Sequence, residues 1–417
     1  MEVKFKEPTV AIIGLGYVGL PLALSFSQCL KVIGFDTNKE KIAELKRANK
    51  NSNLVFTAYE KCINKADFII IAVPTLVMRT KEPDLSYIIS AGKIIARNMK
   101  IGCTVVLEST VYPGVTEEIL KPVIEGTGMV LGRDFNLAYS PERINPGDDA
   151  HSLIKVTKVV SATDLDTTEL VAQLYLRICP NVFKAKDIKT AEASKIIENT
   201  QRDVNIALIN ELSIIFNLLG LNTKEVLKAA ATKWNFQPYS PGLVGGHCIP
   251  VVPYFLVHKA QELGYSPKLI LAGRATNDYM PEHITGMTIK ALCNAGKIIK
   301  DSKILIMGLT YKENVADSRE SPIREVIKGL QEFGIEIWGH DPLVKNIKLE
   351  FGINYCRNLK KAHNFDCIIL ALAHTQYKKI KILELKGMMN ANPILFDLRS
   401  LLDPVEVRAN GFDYRTL

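Results

Sequence analysis

The sequence lacks the features that would place the protein in a membrane or in an oxidising compartment. Its longest apolar runs, residues 68–74 and 367–373, have the length of a strand and are too short to cross a bilayer. The opening residues, MEVKFKEPTV, contain no apolar stretch typical of a signal peptide. None of the eight cysteines forms a CxxC pair, so neither a zinc site nor a disulfide framework is indicated. Scattered free cysteines suit a reducing compartment, and we expect a cytoplasmic protein with no metal and no membrane partner.

Clustered basic residues, which would indicate nucleic-acid binding, are also missing. The formal net charge is +8, but no five consecutive residues are all Lys or Arg. This distribution favours a solvated surface with some preference for anionic small molecules over a nucleic-acid partner. A length of 417 residues exceeds one ordinary core, so two or three domains are expected.

Short apolar stretches alternate with helical patterns in the first part of the chain. The pattern predicts helices at 20–28, 37–50 and 86–99 between strands at 10–13, 31–35, 68–73, 104–108 and 135–139. Such alternation is typical of a parallel, doubly wound sheet.

The texture changes after residue 190. Residues 190–232 contain no proline and one glycine, Gly220, and their apolar residues recur at helical spacing. This predicts a long helix, broken near Gly220, whose apolar face either serves a dimer partner or is buried within the monomer. More helix follows at 254–297, and a second alternating pattern begins at 303.

We therefore predict an α/β fold with two Rossmann-like, doubly wound parallel-sheet domains joined by a long central helix. The predicted boundaries are 1–189 for a dinucleotide-binding domain, 190–298 for a central helical segment, and 299–417 for a second Rossmann-like domain.

A glycine-rich turn follows the first predicted strand. Gly14, Gly16 and Gly19 form a GxGxxG pattern that opens a helix, and Asp36 ends the next strand, 22 residues after Gly14. In that context the glycines let backbone N–H groups approach a pyrophosphate at the helix N-terminus. Asp36 would accept hydrogen bonds from ribose hydroxyls and repel a 2′-phosphate, which favours NAD over NADP. The alternative is a glycine turn that only packs helix on strand.

The second alternating pattern has no such fingerprint. Gly308 is the single glycine in GLTYK, at 308–312, so a second dinucleotide site is not expected. Lys312 and Arg319 follow the strand and could hold the phosphates of a different nucleotide. On local sequence alone, solvated surface charges are the better interpretation of each residue.

The segment PGLVGGHCIP, at 241–250, delivers one cysteine on a glycine-rich loop. Gly245 and Gly246 allow close approach of the backbone to a ligand, and His247 precedes Cys248. The other seven cysteines are interpreted as small buried apolar residues.

Two further groups stand where a ligand could reach them. Lys195 and Asn199 lie four residues apart on the predicted long helix, hence on one face. Glu142, in SPER at 140–143, follows a strand at the sheet edge where open α/β sheets bind ligands. We expect Lys195 and Asn199 to steady an alkoxide and Glu142 to position or activate water.

The chain resembles the UDP-glucose/GDP-mannose dehydrogenase family over nearly its whole length, and most of all the branch that oxidises UDP-N-acetylhexosamines. The segments that carry this resemblance are GLGYVGLPLA at 14–23, SPERINPGD at 140–148, ENTQRDVNIALINEL at 198–212, TKWNF at 232–236, PGLVGGHC at 241–248 and GLTYKEN at 308–314. The resemblance implies an NAD-binding domain, a helical dimerisation segment and a C-terminal UDP-binding domain. It also implies oxidation of the C6 hydroxyl of UDP-GlcNAc or UDP-GalNAc to a carboxylate with two NAD, for surface polysaccharide or glycan precursors.

The resemblance also assigns roles by motif position. Cys248 matches the nucleophile, Lys195 and Asn199 the pair that assists proton transfer and stabilises the oxyanion, Glu142 the SPE glutamate, and Thr110 a catalytic and cofactor-binding threonine. The other implied NAD contacts are Tyr17, Val18, Pro74 and Thr75, beside Gly14, Gly16, Gly19 and Asp36. The implied substrate contacts are Glu142, Arg143, Lys195, Asn199, Gly245, Gly246, Lys312 and Arg319. A homodimer through the central helix is implied as well.

One position departs from the family pattern. The family places an aspartate four residues after the nucleophile, and this chain has Val252. Loss of one carboxylate from a proton-transfer network can cost ~10²–10⁴ in rate. Val252 therefore keeps open the alternative of a protein that binds NAD and nucleotide sugar with impaired catalysis. A second alternative is a one-step hydroxyacid dehydrogenase of the 6-phosphogluconate type, which also joins an NAD domain to long helices.

Overall fold

The computed structural model describes residues 7–143 and 155–417, so residues 144–148 of the SPERINPGD block lie outside it. The chain divides into two compact units. Unit 1 comprises residues 1–199 and 251–266, and unit 2 comprises 200–250 and 267–417. Each unit is therefore built from two separate stretches of chain.

Unit 1 is an α/β layer structure around one large sheet. Its strands run β10-β9-β8-β7-β4-β1-β2-β3, and the pairs are parallel except β8 with β9. A short antiparallel hairpin, β5 with β6, lies apart from this sheet. The strands are β1 Thr9–Ile13, β2 Lys31–Phe35, β3 Leu54–Thr57, β4 Phe68–Ile71, β5 Leu76–Val77, β6 Pro83–Asp84, β7 Cys103–Leu107, β8 Phe135–Tyr139, β9 Thr157–Ala162 and β10 Asn181–Lys184.

Both faces of this sheet are buried because successive strand residues point to opposite sides. In β1, Ala11 and Ile13 enter one apolar cluster, and Val10 and Ile12 enter the other. The covering helices are α1 Gly19–Phe26, α2 Lys39–Ala48, α3 Ser86–Asn98, α4 Lys121–Glu125 and α5 Leu165–Tyr175, with single turns at Glu60–Lys65 (3₁₀) and Val115–Leu120 (π). The first part of the long helix α6, Ile188–Leu218, also belongs to unit 1, as does α8, Val252–Glu262.

Unit 2 contains the rest of α6, with α7 Thr223–Ala230 and α9 Lys268–Asn294, and a second α/β layer structure. Its sheet runs β13-β12-β11-β14-β15-β16, with all pairs parallel. The strands are β11 Lys303–Met307, β12 Glu336–His340, β13 Asn354–Tyr355, β14 Phe365–Leu370, β15 Met389–Asp397 and β16 Asp413–Thr416. The helices around it are α10 Ile323–Gln331, α11 Ile347–Phe351, α12 Ile382–Gly387 and α13 Pro404–Ala409, with 3₁₀ turns at Leu359–Lys361 and Tyr377–Lys379.

The predicted fold is confirmed, with two parallel-sheet layers and a helix of 31 residues between them in the chain. The predicted break near Gly220 is also observed, since α6 ends at Leu218 and α7 begins at Thr223. Seven strands of the described residues were missed: β3, β5, β6, β9, β10, β13 and β16. None of the helices within 7–143 and 155–417 combines the length and apolarity needed to span a membrane. The predicted domain boundaries remain a prediction.

Candidate active site

The glycine turn after β1 has the shape of a dinucleotide cradle. Gly14 has φ of +91°, and a Cβ at position 19 would lie 1.8 Å from the Gly14 carbonyl oxygen, so the turn and the helix start close on each other. A Cβ at Gly16, by contrast, would meet nothing within 4 Å. The loop is therefore tight towards the protein and open at Gly16, which fits the approach of a pyrophosphate to the start of α1.

Asp36 lies at the carboxyl end of β2, beside this turn. Its Oδ2 accepts a hydrogen bond from Leu15 N at 3.1 Å, and its Oδ1 accepts one from Asn38 N at 3.0 Å. Lys41, on α2, places Nζ 3.1 Å from Asp36 Oδ2. Burial disfavours the charged form, but these N–H groups and the Lys41 ammonium hold the pKa of Asp36 below its ordinary value. Asp36 is thus an ionised acceptor at neutral pH, as ribose recognition requires.

Two neighbouring strands, β4 and β7, bring the other predicted cofactor residues to the same edge of the sheet. Pro74 and Thr75 follow β4, and Thr110 follows β7. Ser109 Oγ donates a hydrogen bond of 2.7 Å to Val73 O and so ties the two strand ends together. The predicted residues Pro74, Thr75 and Thr110 therefore lie on linked loops.

A buried glutamate on α6 anchors the continuation of the Thr110 loop. Glu192 accepts hydrogen bonds from Gly114 N at 2.5 Å, from Thr116 N at 2.9 Å and from Thr116 Oγ1 at 2.6 Å. Burial raises the pKa of Glu192 to about 7, against the lowering effect of these donors. Because Lys195 follows one helical turn later, Glu192 links the helix that carries Lys195 to the loop that carries Thr110.

The segment that carries Glu142 lies over a buried ion pair. The Lys158 ammonium contacts Glu108 Oε1 and donates a 2.8 Å hydrogen bond to Pro141 O, and Tyr175 OH donates to Glu108 Oε2 at 2.9 Å. Lys158 and Glu108 are fully buried. Burial raises the pKa of Glu108 to about 6, with the Lys158 charge opposing this and the nearby Glu142 adding to it. Glu142, itself 7% exposed, is thereby held on a rigid turn after β8.

The remaining predicted residues of unit 1 lie on or next to α6. Arg143 donates through Nε and Nη2 to Glu198 Oε1 and through Nη1 to Thr157 O, so its guanidinium is committed to unit 1 itself. Asn199 is 6% exposed, and its Nδ2 has no hydrogen-bond partner within the described residues. A buried amide donor without a partner costs free energy unless a ligand satisfies it. The unpartnered amide supports Asn199 as a direct contact to substrate. The hydrogen bonds of Arg143 within unit 1 count against the same role for Arg143.

In unit 2, an asparagine of α6 clamps the start of the loop that carries Cys248. Asn210 Nδ2 donates to Gly242 O at 3.0 Å, and Asn210 Oδ1 accepts from Gly242 N at 2.8 Å. Asn277, on α9, accepts from Asn210 Nδ2 at 2.9 Å and donates to Asp203 Oδ1 at 2.8 Å. Arg274 donates to the same Asp203 oxygen at 2.5 Å. The buried amides thus fix the glycine loop to two helices.

Further along, the same loop rests on the segment after β11. A Cβ at Gly246 would lie 2.7 Å from the Tyr311 ring, and a Cβ at Gly245 would lie 2.4 Å from Pro322 Cδ. Gly246 N also donates to Glu320 O at 3.0 Å. Both glycines are therefore required by close packing within the protein, and the Cys248 side chain beyond them is exposed.

The two basic residues predicted for the nucleotide lie on the segment that supports the loop. Arg319 donates through Nε to Asp317 Oδ1 at 3.0 Å and through Nη2 to Asp317 Oδ2 at 2.8 Å, yet its side chain stays 57% exposed. His247 Nε2 lies 3.8 Å from Asp317 Oδ2. Lys312 is half-buried. Asp317 therefore orients Arg319 and lies near the neighbour of Cys248.

A small pocket opens at the carboxyl edge of the unit 2 sheet, where open α/β sheets bind ligands. Its lining includes Leu243, Gly308, Thr310, Tyr311, Pro322 and Arg399. The pocket is thus formed by the turn after β11, the start of the Lys312 segment and the Cys248 loop.

Val252, at the position of the family aspartate, is the first residue of α8 and is 3% exposed. It joins the apolar cluster of unit 1 together with Phe255. In this chain the position serves the core.

Several functional neighbours escaped sequence reasoning. Lys41, Glu192, Lys158 and Asn210 each act on a predicted site residue or its loop, but each occurs in a helix or strand where a polar side chain is usually solvated. Lys158 offered one signal, since it interrupts the apolar run of β9.

Comparison with known proteins agrees with this arrangement. The chain matches three consecutive domains of the UDP-glucose/GDP-mannose dehydrogenase family: the NAD binding domain over residues 8–179, the central domain over 189–279 and the UDP binding domain over 305–404. Among its relatives is the UDP-N-acetyl-D-glucosamine 6-dehydrogenase of Salmonella typhi, 43% identical over 95% of this chain and 97% of that protein. The enzyme of the same name from Pseudomonas aeruginosa is 44% identical over 95% and 98%.

A solved structure, the UDP-D-ManNAc dehydrogenase of Pyrococcus horikoshii, superposes with a TM-score of 0.88 at 29% identity and covers 98% of both chains. The UDP binding domain accounts for the second α/β layer, which a one-step hydroxyacid dehydrogenase would leave unexplained. The chain belongs to the UDP-glucose/GDP-mannose dehydrogenase family and is an NAD-dependent nucleotide-sugar dehydrogenase.

Proposed function

We propose that the protein oxidises the C6 hydroxyl of a UDP-N-acetylhexosamine, UDP-GlcNAc or UDP-GalNAc, to the carboxylate, and so supplies a precursor of surface polysaccharide or glycan. The observation that carries the proposal is the exposed Cys248 on a loop held by Asn210 and packed on Tyr311. The relatives named for UDP-N-acetyl-D-glucosamine support the sugar class. The three-part domain organisation, 1–189, 190–298 and 299–417, is part of the same proposal.

The reaction needs a thiol because it removes four electrons from one carbon. Gly14–Gly19 and Asp36 would hold NAD, which would supply the hydride acceptor for each of the two oxidations. After the first, the Cys248 thiolate bonds to the aldehyde carbon and forms a thiohemiacetal, which prevents loss or hydration of the aldehyde. After the second, that carbon is a thioester, and water breaks its C–S bond to give the acid and free thiolate. Each sugar thus consumes one water and two NAD and releases three protons.

The residues around the chemistry divide the work. Lys195 takes or steadies the hydroxyl proton in the first step, and the Asn199 amide donates to the oxyanion in the later steps. Glu142 positions the hydrolytic water, and Thr110 contacts both cofactor and substrate. The unpartnered Nδ2 of Asn199 supports its role, because an oxyanion would satisfy that buried donor.

We assign the nucleotide to unit 2. Lys312 and Arg319 supply positive charge for the diphosphate, and Gly245 and Gly246 line the path to Cys248. Support comes from the pocket at the carboxyl edge of the second sheet and from the exposed guanidinium of Arg319. Arg143, paired with Glu198, acts on substrate only through the placement of the Glu142 segment.

The deciding experiment counts NADH per sugar over a panel of UDP-sugars. We expect two NADH per molecule of UDP-GlcNAc or UDP-GalNAc, and little turnover with UDP-glucose. Cys248→Ser is expected to stall after the first oxidation, and Cys293→Ser, at an exposed thiol outside these loops, is the matched control. One NADH per sugar in the parent protein, or acid production at the parental rate by Cys248→Ser, would refute the thioester route.

A second candidate function rests on Val252. Because the side chain is buried in an apolar cluster where the family has a carboxylate, the chain could bind NAD and nucleotide sugar with impaired turnover. This function predicts that the protein binds NADH and UDP-sugar without releasing acid. It also predicts that Val252→Asp raises the rate of acid production above that of Val252→Asn, the control variant whose side chain has the shape of aspartate but no charge. If Val252→Asp leaves the rate unchanged or lowers it, Val252 is not the cause of impaired turnover.

We also propose a homodimer through the central helix. Leu208 and Ile215 share one face of α6, because they are seven residues apart, and Leu219 directly follows the end of the helix; all three are exposed in the single chain. Such an apolar stripe is typical of a helix that packs on a partner. Light scattering should give about twice 46.4 kDa. Leu208→Asp should give monomers, whereas Lys224→Asp, an exposed charge change elsewhere, should not.

A further inference from the structure

We propose that His374 is a positioning residue that fixes the Lys312 segment for the nucleotide of the substrate. The inference rests on the proposed role of Lys312 in binding the diphosphate. It concerns a cluster of polar side chains at the carboxyl edge of the unit 2 sheet, in which Asp341, His374 and Thr310 are buried and Asn314 is exposed.

The strand order brings this cluster together. In the sheet, β11 lies between β12 and β14, so the residues that follow those two strands flank the turn after β11. Asp341 follows β12 and His374 follows β14. Their side chains are almost fully buried, with 2% and 1% exposure, and His374 Nε2 lies 3.2 Å from Asp341 Oδ2.

Asp341 holds the turn itself. Its Oδ2 accepts hydrogen bonds from Leu309 N at 2.7 Å and Thr310 N at 3.2 Å, and its Oδ1 accepts one from Leu343 N at 2.8 Å. Burial disfavours the charge, but His374 and these N–H groups keep the pKa of Asp341 below its ordinary value. Asp341 is therefore a carboxylate, and His374 Nε2 faces a negative oxygen.

His374 connects this carboxylate to the far end of the segment. Its Nδ1 lies 2.9 Å from Asn314 N, a backbone donor, so Nδ1 must carry a lone pair and the ring proton must be on Nε2, towards Asp341. One tautomer satisfies both bonds. The imidazole thus connects the Asp341 carboxylate to the Asn314 amide through two hydrogen bonds.

Lys312 lies between the two fixed points. Thr310 Oγ1 donates to Lys312 O at 2.9 Å, and Asn314 Oδ1 accepts from Thr375 N at 3.0 Å. Asn314 has φ of +59°, a left-handed conformation that asparagine adopts more often than most other non-glycine residues. The His374 bond fixes the direction of the Asn314 amide in this conformation.

Within the segment, the buried residues therefore position the main chain, and the Lys312 side chain contacts the ligand. Hydrogen bonds fix the backbone on both sides of Lys312, so this stretch of main chain need not be ordered when the ligand binds, and less free energy is lost on binding. A residue of this kind should affect the binding of the nucleotide sugar more than the chemical step.

Two substitutions separate the two bonds of His374. His374→Gln keeps a donor near the position of Nε2 for Asp341 and loses the acceptor for Asn314 N. His374→Asn keeps an acceptor near Nδ1 and loses the contact with Asp341. We expect His374→Gln to raise the KM for UDP-sugar about tenfold, with kcat nearly unchanged, because a lost hydrogen bond that serves binding alone changes KM. We expect His374→Asn to lower the melting temperature but to change that KM less than threefold.

Controls locate the effect and cover a variant that fails to fold. The KM for NAD and the affinity for NADH should be the parental values in both variants. Thr310→Val keeps the side-chain shape and removes the bond to Lys312 O together with the 3.4 Å contact of Thr310 Oγ1 with His374 Nε2, and it leaves the bond of Thr310 N to Asp341 in place; it should raise the KM for UDP-sugar several-fold. Lys312→Ala should raise it at least as much, and the Lys312→Ala/His374→Gln double variant should be no worse than Lys312→Ala alone.

The outcomes separate the inference from its premise. If Lys312→Ala leaves the KM for UDP-sugar unchanged, the proposed nucleotide role of Lys312 is wrong. If Lys312→Ala raises it but His374→Gln and Thr310→Val do not, only the positioning role fails. Equal KM changes in His374→Gln and His374→Asn would also overturn the inference, since the Asn314 bond would then have no special effect.

Discussion

In each Rossmann-like layer the turn after the first strand meets the end of the second strand. We call this place the crossing, and the two layers use it for different purposes. In both, an aspartate at the end of the second strand of the layer accepts a main-chain N–H from the turn after the first: Asp36 from Leu15, and Asp341 from Leu309. The distances are 3.1 and 2.7 Å. The topology alone therefore does not tell which crossing binds a dinucleotide.

The surroundings of the two carboxylates differ. Beside Asp36 stand three glycines and a lysine, Lys41, and the Asp36 side chain keeps 15% of its surface accessible. Asp341 is closed over by His374. Glycines thus leave room for a ligand beside Asp36, whereas a side chain occupies the corresponding room beside Asp341 and makes that aspartate an internal anchor.

The largest expected effect is on stability. Asp341→Ala leaves three buried N–H groups and His374 without their acceptor, and we expect the melting temperature to fall by roughly 6–12 °C, which corresponds to about 3 kcal/mol. Asp36→Ala, at the more open crossing, should lower it by no more than about a third of that. Calorimetry of both variants measures the difference, and equal losses would show that the two crossings are alike.

The next effect is on cofactor binding. Asp36→Ala removes charge-assisted hydrogen bonds to the ribose, each worth about 1.5–3 kcal/mol, so the KM for NAD should rise by roughly 10–100-fold. The KM for UDP-sugar should stay at the parental value, since Asp36 belongs to the NAD-binding layer. A matching rise in both constants would mean that Asp36 acts on the fold and not on the cofactor.

A smaller effect concerns the choice between NAD and NADP. In Asp36→Ser the Lys41 ammonium loses its partner and can bind a 2′-phosphate, so the ratio of kcat/KM for NADP over NAD should rise by about tenfold or more. The Asp36→Ser/Lys41→Ala double variant should lose most of that gain. If it keeps the gain, repulsion by Asp36 alone explains the preference for NAD.

The smallest effect appears in acid. The pKa of Asp341 in the folded protein is lower than its ordinary value, so its contribution to stability is complete above about pH 4 and is lost as the pH falls through the lowered pKa. We expect the melting temperature of the parent protein to fall more steeply below pH 4 than that of Asp341→Asn. Parallel curves for the two proteins would contradict the charged state assigned to Asp341.

Elements marked by a regular residue pattern could be predicted from the sequence. Contacts between residues far apart in the chain could not. Strand β1 and its glycine turn were found because four apolar residues precede three glycines at fixed spacing, and NAD as cofactor is confirmed. Strand β9 was missed because Lys158, a residue expected at the surface, is its second residue, and its partner Glu108 is 50 residues away. The clamp of Asn210 on Gly242 spans 32 residues and has no local signal at all.

Each unit is built from two stretches of chain, and this affects how the protein folds during its synthesis. Unit 1 needs Val252 and Phe255 to complete its apolar cluster, and both residues follow the first 51 residues of unit 2. During synthesis, unit 1 must therefore wait for residues 251–266 to emerge while part of unit 2 is already outside the ribosome. A fragment that ends at residue 199 would begin folding with an incomplete core, so the protein is best produced and studied as the whole chain.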